Sequence, residues 1–521
     1  MRFFNTAGPC NPEKHYMLPP ERRLPDIRDF IDRELYFVIH APRQTGKTTC
    51  FETLARSLTA EGRYAALLAT CEKGQTAGDD IERGVRAVLR DLEMEAETLP
   101  AEIRPEPLGN FEAIEAENLL AAYLVAWCQR SVRPVVLFLD EVDALLDGTL
   151  LSVLRQLRAS YSDRPGRFPQ SVALIGLRDV RDYRVRVRPD LSSLGTSSPF
   201  NIKVESLTLR NFTREEVAEL YGQHTEETGQ AFSPEASALA YELTRGQPWL
   251  VNALASQTIE KLVPDRSLPI EAAHVDRARE ILIERRDTHL DSLVDRLREP
   301  RVRRVLEPIL VGEFLPPDLL EDDVQFVKDL GLVVSGPAGL EIANPIYREV
   351  IPRALAWVMQ DTLPVVRAPF IAPDGSLRFD KILDEFRAFW CQNAEFFLAR
   401  QPYSEAAAQL VFMAYLQRVV NGGGFIDREY GVGRGRIDLC IRWPRPEGLE
   451  RWAVELKVRR DGRPDPLADG LEQLSGYLDR LGLDRGTLIL FDARSQASPV
   501  PERCSRSEVE HQGRQITVLR L

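Results

Sequence analysis

The chain has 521 residues, 44% apolar and 28% charged, with a net charge of −12. That length exceeds what one hydrophobic core supports, about 250–300 residues, so about three or four domains are expected. The composition is globular, no run approaches the ~18 apolar residues of a membrane span, and Met1-Arg2-Phe3-Phe4-Asn5-Thr6 opens no signal-peptide core. A cytoplasmic protein with no membrane partner is expected. The acidic balance argues against general coating of nucleic acid, although a local basic groove is compatible with it. The seven cysteines form no Cys-x-x-Cys pair and the six histidines show no metal spacing, so reduced, mainly buried thiols are expected.

Phe4 to Tyr16 is rich in Gly and Pro and reads as a loop, with Phe4 or Tyr16 either against a nucleotide base or, more commonly for such residues, anchoring the segment. Leu24 to Leu35 reads as a short helix. Tyr36-Phe37-Val38-Ile39-His40 then has the apolar, β-favouring character of a buried parallel strand. Ala41-Pro42-Arg43-Gln44-Thr45-Gly46-Lys47-Thr48-Thr49 follows and runs into helical sequence. This is a phosphate-binding loop (P-loop) with Ala41 in place of the usual first glycine. Backbone N–H groups of Gln44, Thr45, Gly46, Lys47 and Thr48 are expected to wrap a β-phosphate at a helix N-terminus, with Thr49 next in line. Lys47 would neutralise the β/γ-phosphates of ATP, and the Thr48 hydroxyl would take a Mg²⁺ position.

Tyr64–Leu68 is a second short apolar run. Residues 78–130 are largely helical by period, with Leu119, Leu120, Tyr123, Leu124 and Trp127 on one face. Val135-Val136-Leu137-Phe138-Leu139-Asp140-Glu141 reads as a Walker B strand. Asp140 is placed to hold the Mg²⁺, and Glu141 to polarise the water that attacks the γ-phosphate. Asp143 is expected to cap the next helix. Ser171–Gly176 is a further strand, with Arg178 the nearest polar candidate at its exit for sensing the γ-phosphate. The arginine-rich stretch 178–188 reads as an arginine finger, a DNA contact or a solvated loop. Phe200–Val204 would be the last strand of the sheet. Residues 209–285 are helical, and Gly246-Gln247-Pro248 ends one helix and starts the next.

The P-loop, Walker B strand and Gly-x-Pro motif together resemble archaeal-type and STAND-type AAA+ ATPases. The resemblance implies a nucleotide-closing role for Pro248 and assembly of a homo-oligomer. Residues 286–360 read as helices followed by two short strands, which resembles a winged helix that either binds DNA or packs on the ATPase as a lever. The acidic Glu321-Asp322-Asp323 favours the lever. Residues 361–378 are a Pro-rich linker.

A new domain is expected from about residue 379. A helix carrying Glu405 precedes strands at Phe425–Tyr430, Ile437–Trp443 and Trp452–Val458. Alternation puts Glu455 and Lys457 on one face. Asp438 and Glu455 are equidistant from the turn centre between Pro446 and Glu447, so in an unbulged hairpin they face each other about 5 Å apart. Two like charges there call for a cation, and Mg²⁺ held by Asp438, Glu455 and the Leu456 carbonyl is the simplest remedy. Lys457 would orient or deprotonate the attacking water. Asp…Glu-x-Lys in this order, with Gln473 and Tyr477 on a following helix and a strand at Thr487–Asp492, resembles the PD-(D/E)XK nuclease superfamily. That resemblance implies catalytic roles for Glu405, Asp438, Glu455, Lys457 and Gln473.

The expected fold is α/β multidomain: a P-loop NTPase parallel sheet (1–208) with a helical lid (209–285), a winged-helix-like domain (286–360), a linker and helix (361–399), and a C-terminal restriction-endonuclease-like α/β domain (400–521). The expected function is an ATPase whose nucleotide state gates a Mg²⁺-dependent nuclease acting on DNA, with RNA as the other polymer, in bacterial defence. The rival readings are a STAND-like signalling switch with a non-cutting C-terminal domain, and an ATP-driven DNA loader.

Overall fold

The computed structural model describes all residues except 79, 178–202, 286–294, 311–319, 337–338, 361–369, 399–406, 421–423, 433–434 and 446–447. The chain divides into two compact units, Met1–Arg285 with Val324–Pro337, and Arg286–Asp323 with Ala338–Leu521. The region 286–360 is thus shared between them. It contains helices Pro300–Leu310, Glu321–Asp329 and Pro345–Gln360 and the short strands β6 and β7 defined below. No helix among the described residues is long and apolar enough to cross a membrane.

The first unit is built on strands β1 (Tyr36–His40), β2 (Ala65–Thr70), β3 (Val135–Asp140), β4 (Ser171–Gly176) and β5 (Lys203–Thr208). Their order is β2-β3-β4-β1-β5, and every pairing is parallel. Residues in β1, β3 and β4 are buried nearly throughout, as expected where helices cover both faces of a parallel sheet. One core lies under helices Ile81–Ala96, Ala116–Arg130 and Asp147–Ala159 and takes in Leu119, Leu120, Tyr123, Leu124 and Trp127. The other, on the opposite face, contains Phe51, Leu54 and Leu58 of helix Lys47–Ala60.

Three expectations for this unit change, and of the two readings of Phe4 and Tyr16 the anchor is the one found. The helix expected over 24–35 is shorter, Ile27–Asp32, and a 3-10 turn, Pro20–Arg23, precedes it. The last strand carries on to Thr208, past the expected end at Val204, because its pairing with β1 continues to His40↔Thr208; residues 200–202 of the expected strand lie outside the described residues. Asp143 caps no helix; it lies in a 3-10 turn and accepts from the Leu177 N–H at 3.2 Å, tying the Walker B turn to the exit of β4. Phe4 and Tyr16 are buried against the helical region, not in a position to meet a base: Phe4 packs edge-on to Tyr221, and Tyr16 packs on His224. The Asn5 and Thr6 carbonyls accept from Asn252 and Trp249. The N-terminal segment is therefore an anchor on the helices of 209–285.

Those helices are Arg214–Thr228, Pro234–Thr244, Pro248–Gln257 and Ala272–Arg285. The connection after Thr244 is fixed by Gly246, at φ +71°. The Phe212 N–H donates to the Gly246 carbonyl at 2.9 Å.

The second unit contains helices Phe379–Leu398 and Ala407–Val420 and a six-stranded mixed sheet. Counting on from β6 (Val333–Gly336) and β7 (Gly339–Ile342), its strands are β8 (Phe425–Val432), β9 (Gly435–Arg445), β10 (Gly448–Arg459), β11 (Arg485–Asp492), β12 (Ser505–His511) and β13 (Arg514–Arg520), in the order β12-β13-β11-β10-β9-β8. β8, β9 and β10 are antiparallel neighbours, whereas β11 runs parallel to β10 after the crossover helix Leu467–Leu481. The strands are longer than expected at both ends of the β9–β10 hairpin, leaving two residues between them. Strands β12 and β13 have no counterpart in the sequence reading. Their signal is a weak alternation around Gln512-Gly513, both at positive φ.

An alanine at Gly246 would place its Cβ 1.9 Å from the Phe212 carbonyl oxygen and hold an L-residue in the left-handed region. Gly246→Ala is expected to cost about 2 kcal/mol or more and to lower the melting temperature by several degrees. An unchanged melting curve refutes this account of the connection.

Candidate functional site

In the first unit the P-loop leaves the end of β1 and wraps into helix Lys47–Ala60. Gln44 (φ +57°) and Gly46 (φ +82°) both take left-handed backbone, which turns successive N–H groups toward a common point. Ala41 is buried at the start of the turn, where no positive φ is needed. The Lys47 ammonium donates to the Ala41 and Pro42 carbonyls at 2.8 and 3.0 Å, and the Thr45 hydroxyl to Pro42 at 2.8 Å. Burial lowers the Lys47 pKa, and the nearby charges of Asp140, Glu141 and Asp143 oppose that. The Thr49 hydroxyl faces the N-terminal segment and accepts from the Cys10 N–H at 2.9 Å.

The sheet order places β4 between β1 and β3, yet Thr48 reaches Asp140 directly: its hydroxyl donates to Asp140 Oδ2 at 2.7 Å. The other oxygen of Asp140 accepts from the Glu141 N–H at 2.9 Å. Asp140 is 2% exposed, and burial raises its pKa. Glu141 is at φ +53°, a left-handed conformation costly for a non-glycine residue and often kept at functional sites. Burial, with Asp143 and Asp140 next in size, raises its carboxyl pKa, which strengthens it as a base. Thr48, Asp140 and Glu141 line one end of a cavity of about 920 Å³. Thr48 and Asp140 are the side chains that would hold Mg²⁺ beside a bound nucleotide. Arg178 lies outside the described residues.

Pro248 is buried at the first turn of its helix. The residue before it makes the contact with the loop: Gln247 Nε2 donates to the Gln44 carbonyl at 3.3 Å. Gln247 and Arg23, whose Nη1 donates to the Thr45 carbonyl at 2.7 Å, were not legible as site residues. Neither falls in the loop motif itself.

In the second unit the β9–β10 pairing runs from Gly448 with Arg445 to Val454 with Leu439, the residues next to Glu455 and Asp438. The Asp438 carboxylate accepts from the Leu456 N–H at 2.7 Å. Glu455 is 2% exposed; its Oε1 accepts from Lys457 at 2.8 Å, while its Oε2 is buried without a hydrogen-bond partner. Lys457 also donates to Gln473 Oε1 at 2.8 Å. Burial, and after it the charge of Asp438, raises the Glu455 pKa. Burial works to lower that of Lys457, but the charge and hydrogen bond of Glu455, with Asp438 and Tyr477, outweigh it and raise it.

Asp438, Glu455, Lys457 and Gln473 thus come together at one place, and the orphaned Glu455 oxygen is the kind of acceptor a cation satisfies. Glu405 lies outside the described residues. Among the described residues no group of three or more His, Cys, Asp or Glu side chains is arranged as a metal cluster, so two carboxylates, Asp438 and Glu455, are the acidic side chains this site offers.

Residues 31–183 match the family model of the AAA domain. The first unit contains an AAA-type P-loop ATPase domain. The loop, the Walker B pair and the parallel sheet described above are the parts of that domain that bear on nucleotide. Among solved structures the chain is similar to the Walker-type ATPase paby2304 of Pyrococcus abyssi (14% identity, TM-score 0.46, 67% of this chain and 99% of that one). It is also similar to the RuvB Holliday junction branch migration motor of Thermotoga maritima (16% identity, TM-score 0.34, 62% and 90%) and to Cdc6p of Pyrobaculum aerophilum (12% identity, TM-score 0.37, 67% and 96%). These superpositions are too loose to carry an argument about activity. No curated protein matches the chain.

Lys47→Ala removes the cation expected to meet the nucleotide phosphates. Its expected effect is loss of measurable ATP and ADP binding in calorimetry, with the melting temperature little changed; binding at wild-type affinity refutes the assignment.

Proposed function

We propose that the AAA domain hydrolyses ATP and that its nucleotide state gates a Mg²⁺-dependent nuclease in the second unit, acting on DNA. The observation that carries the nuclease half is the convergence of Asp438, Glu455, Lys457 and Gln473 around a buried, unpartnered carboxylate oxygen. In the AAA domain, Lys47 and the loop amides bind the phosphates, and Glu141 accepts the proton of the attacking water. In the second unit, Asp438, Glu455 and the Leu456 carbonyl would hold the metal, which when bound supplies Lewis-acid activation of the scissile phosphate. Lys457, held by Glu455 and Gln473, orients the water that attacks phosphorus.

Gating is supported by the stretch Val324–Pro337, which belongs to the first unit although the chain on either side belongs to the second. Gly331, at φ +73°, lies so close to Pro42 of the P-loop that a Cβ there would meet the proline ring at 2.6 Å. A change in the loop on nucleotide binding therefore has a neighbouring segment to push on. This fits the lever reading of that region better than a DNA-binding one. Asp323 adds to this, since it is paired with Arg301 and Arg304. The resemblance to AAA+ relatives supports a homo-oligomer, and a role in bacterial defence rests on analogy with such fusions.

Purified protein is expected to cut DNA with Mg²⁺. Asp438→Ala should reduce Mg²⁺ binding and cleavage together. Lys457→Ala should keep the metal and slow cleavage by about 10²–10⁴-fold. ATP turnover should persist in both. Wild-type cleavage by the double variant sinks the nuclease assignment and leaves the switch reading. Glu141→Gln should bind ATP, turn it over slowly, and alter cleavage without any change in the second unit. Equal cleavage with ATP, ADP and no nucleotide, in wild type and Glu141→Gln alike, would mean that the two activities are independent.

A further inference from the structure

Phosphate-binding loops act through backbone N–H groups, and a backbone N–H cannot be aimed independently of its peptide plane. In a trans peptide the carbonyl of one residue and the N–H of the next point in opposite directions. The peptides of this loop are trans, since the cis bond of the described chain is Arg164–Pro165. Holding the Gln44 carbonyl outward therefore aims the Thr45 N–H inward, and holding the Thr45 carbonyl aims the Gly46 N–H.

Both carbonyls are held, and by side chains from outside the loop. The Gln44 carbonyl accepts from Gln247 Nε2 at 3.3 Å; the Thr45 carbonyl accepts from Arg23 Nη1 at 2.7 Å. The orientation of the Gln247 amide is settled by its other end, where Oε1 accepts from the Leu250 N–H at 2.6 Å and caps the helix Pro248–Gln257. Arg23 is 7% exposed and also donates to the Arg210 carbonyl, through Nε at 2.8 Å and through Nη2. Its guanidinium lies over the Phe212 ring, 5.0 Å from the centroid. Burial holds its pKa down to about 10, so it stays charged at neutral pH. A buried cation bound by neutral carbonyls is expensive to keep for packing alone. Its position, with Nη1 3.5 Å from where a Gly46 Cβ would be, is at the back of the phosphate site.

We propose that Arg23 and Gln247 are positioning residues for nucleotide binding, which fix the Thr45 and Gly46 N–H groups toward the β-phosphate by holding the opposite ends of their peptide planes. They come from different parts of the chain. Arg23 belongs to the N-terminal segment and reaches Arg210 at the start of the helical region; Gln247 opens a helix within that region. The same two bonds therefore make the phosphate site sensitive to how the helical region sits on the loop. The inference rests on the reading that this loop binds a nucleotide di- or triphosphate.

The test compares ADP with AMP, which lacks the β-phosphate, by calorimetric titration of the full-length chain. Arg23→Lys keeps the charge but cannot span the Thr45 and Arg210 carbonyls. Gln247→Glu keeps the acceptor that caps Leu250 and loses the donor to Gln44. Arg23→Lys is expected to weaken ADP binding about tenfold or more, as befits a charge-assisted bond, and Gln247→Glu several-fold. AMP affinity should be unchanged in both. A merely structural role would lower AMP and ADP affinity in parallel. That outcome, or unchanged ADP affinity in Gln247→Glu, overturns the proposal. Wild-type protein that binds neither ADP nor ATP instead overturns the reading of the loop itself, whatever the variants do.

Discussion

Both candidate sites of this protein take carboxyl side chains out of water, and the architecture around each is arranged to make that tolerable. Asp140 and Glu455 are each 2% exposed. An unpaired charge at such depth costs several kcal/mol, so each must be met by donors or cations at fixed positions. Asp140 is met by the Thr48 hydroxyl and the Glu141 N–H. Glu455 is met on one oxygen by Lys457 and on the other by no protein donor. The difference separates a carboxylate that the protein itself satisfies from one whose remaining valence suits a bound cation.

The two centres also share a construction. Each carboxylate is carried by a strand with neighbours on both sides: Asp140 ends β3, between β2 and β4, and Glu455 lies within β10, between β9 and β11. Central strands are held by ladders on both edges, so the carboxylates they deliver have little positional freedom. The partner groups come from the elements next to them, Lys47 and Thr48 from the helix after β1, Gln473 from the crossover helix between β10 and β11. Rigid strand and adjacent helix together make a site preorganised before any ligand arrives.

Around the AAA domain, the N-terminal segment and the helices of 209–285 form a second layer that contacts the loop from behind. Phe4, Tyr16, Trp249 and Asn252 bind that layer to itself, while Arg23 and Gln247 carry it to the loop. Gly331 approaches from another side, against Pro42. The phosphate loop is thus a place where the N-terminal segment, the helices of 209–285 and the segment of Gly331 converge.

The local sequence by itself determined the Walker B strand and the loop. An apolar run ending in Asp140-Glu141, and Gly46-Lys47-Thr48 after another, are legible because burial and phosphate chemistry each demand particular residues at fixed spacing. The β9–β10 hairpin that carries Asp438 and Glu455 was legible too, because strand alternation and a Pro/Gly turn mark it. Tertiary structure alone decided the rest. Asp143, expected as a helix cap, bonds Leu177 because the sheet brings the exit of β4 beside the Walker B turn. Tyr16 anchors on His224, 208 residues away, a partner that the sequence did not name. Arg23 meets Thr45 and Arg210, and Gln247 meets Gln44, through separations that leave no period or spacing to read. Strand alternation and loop motifs are imposed by neighbours in sequence, whereas these contacts are imposed by which surfaces the folded chain brings together.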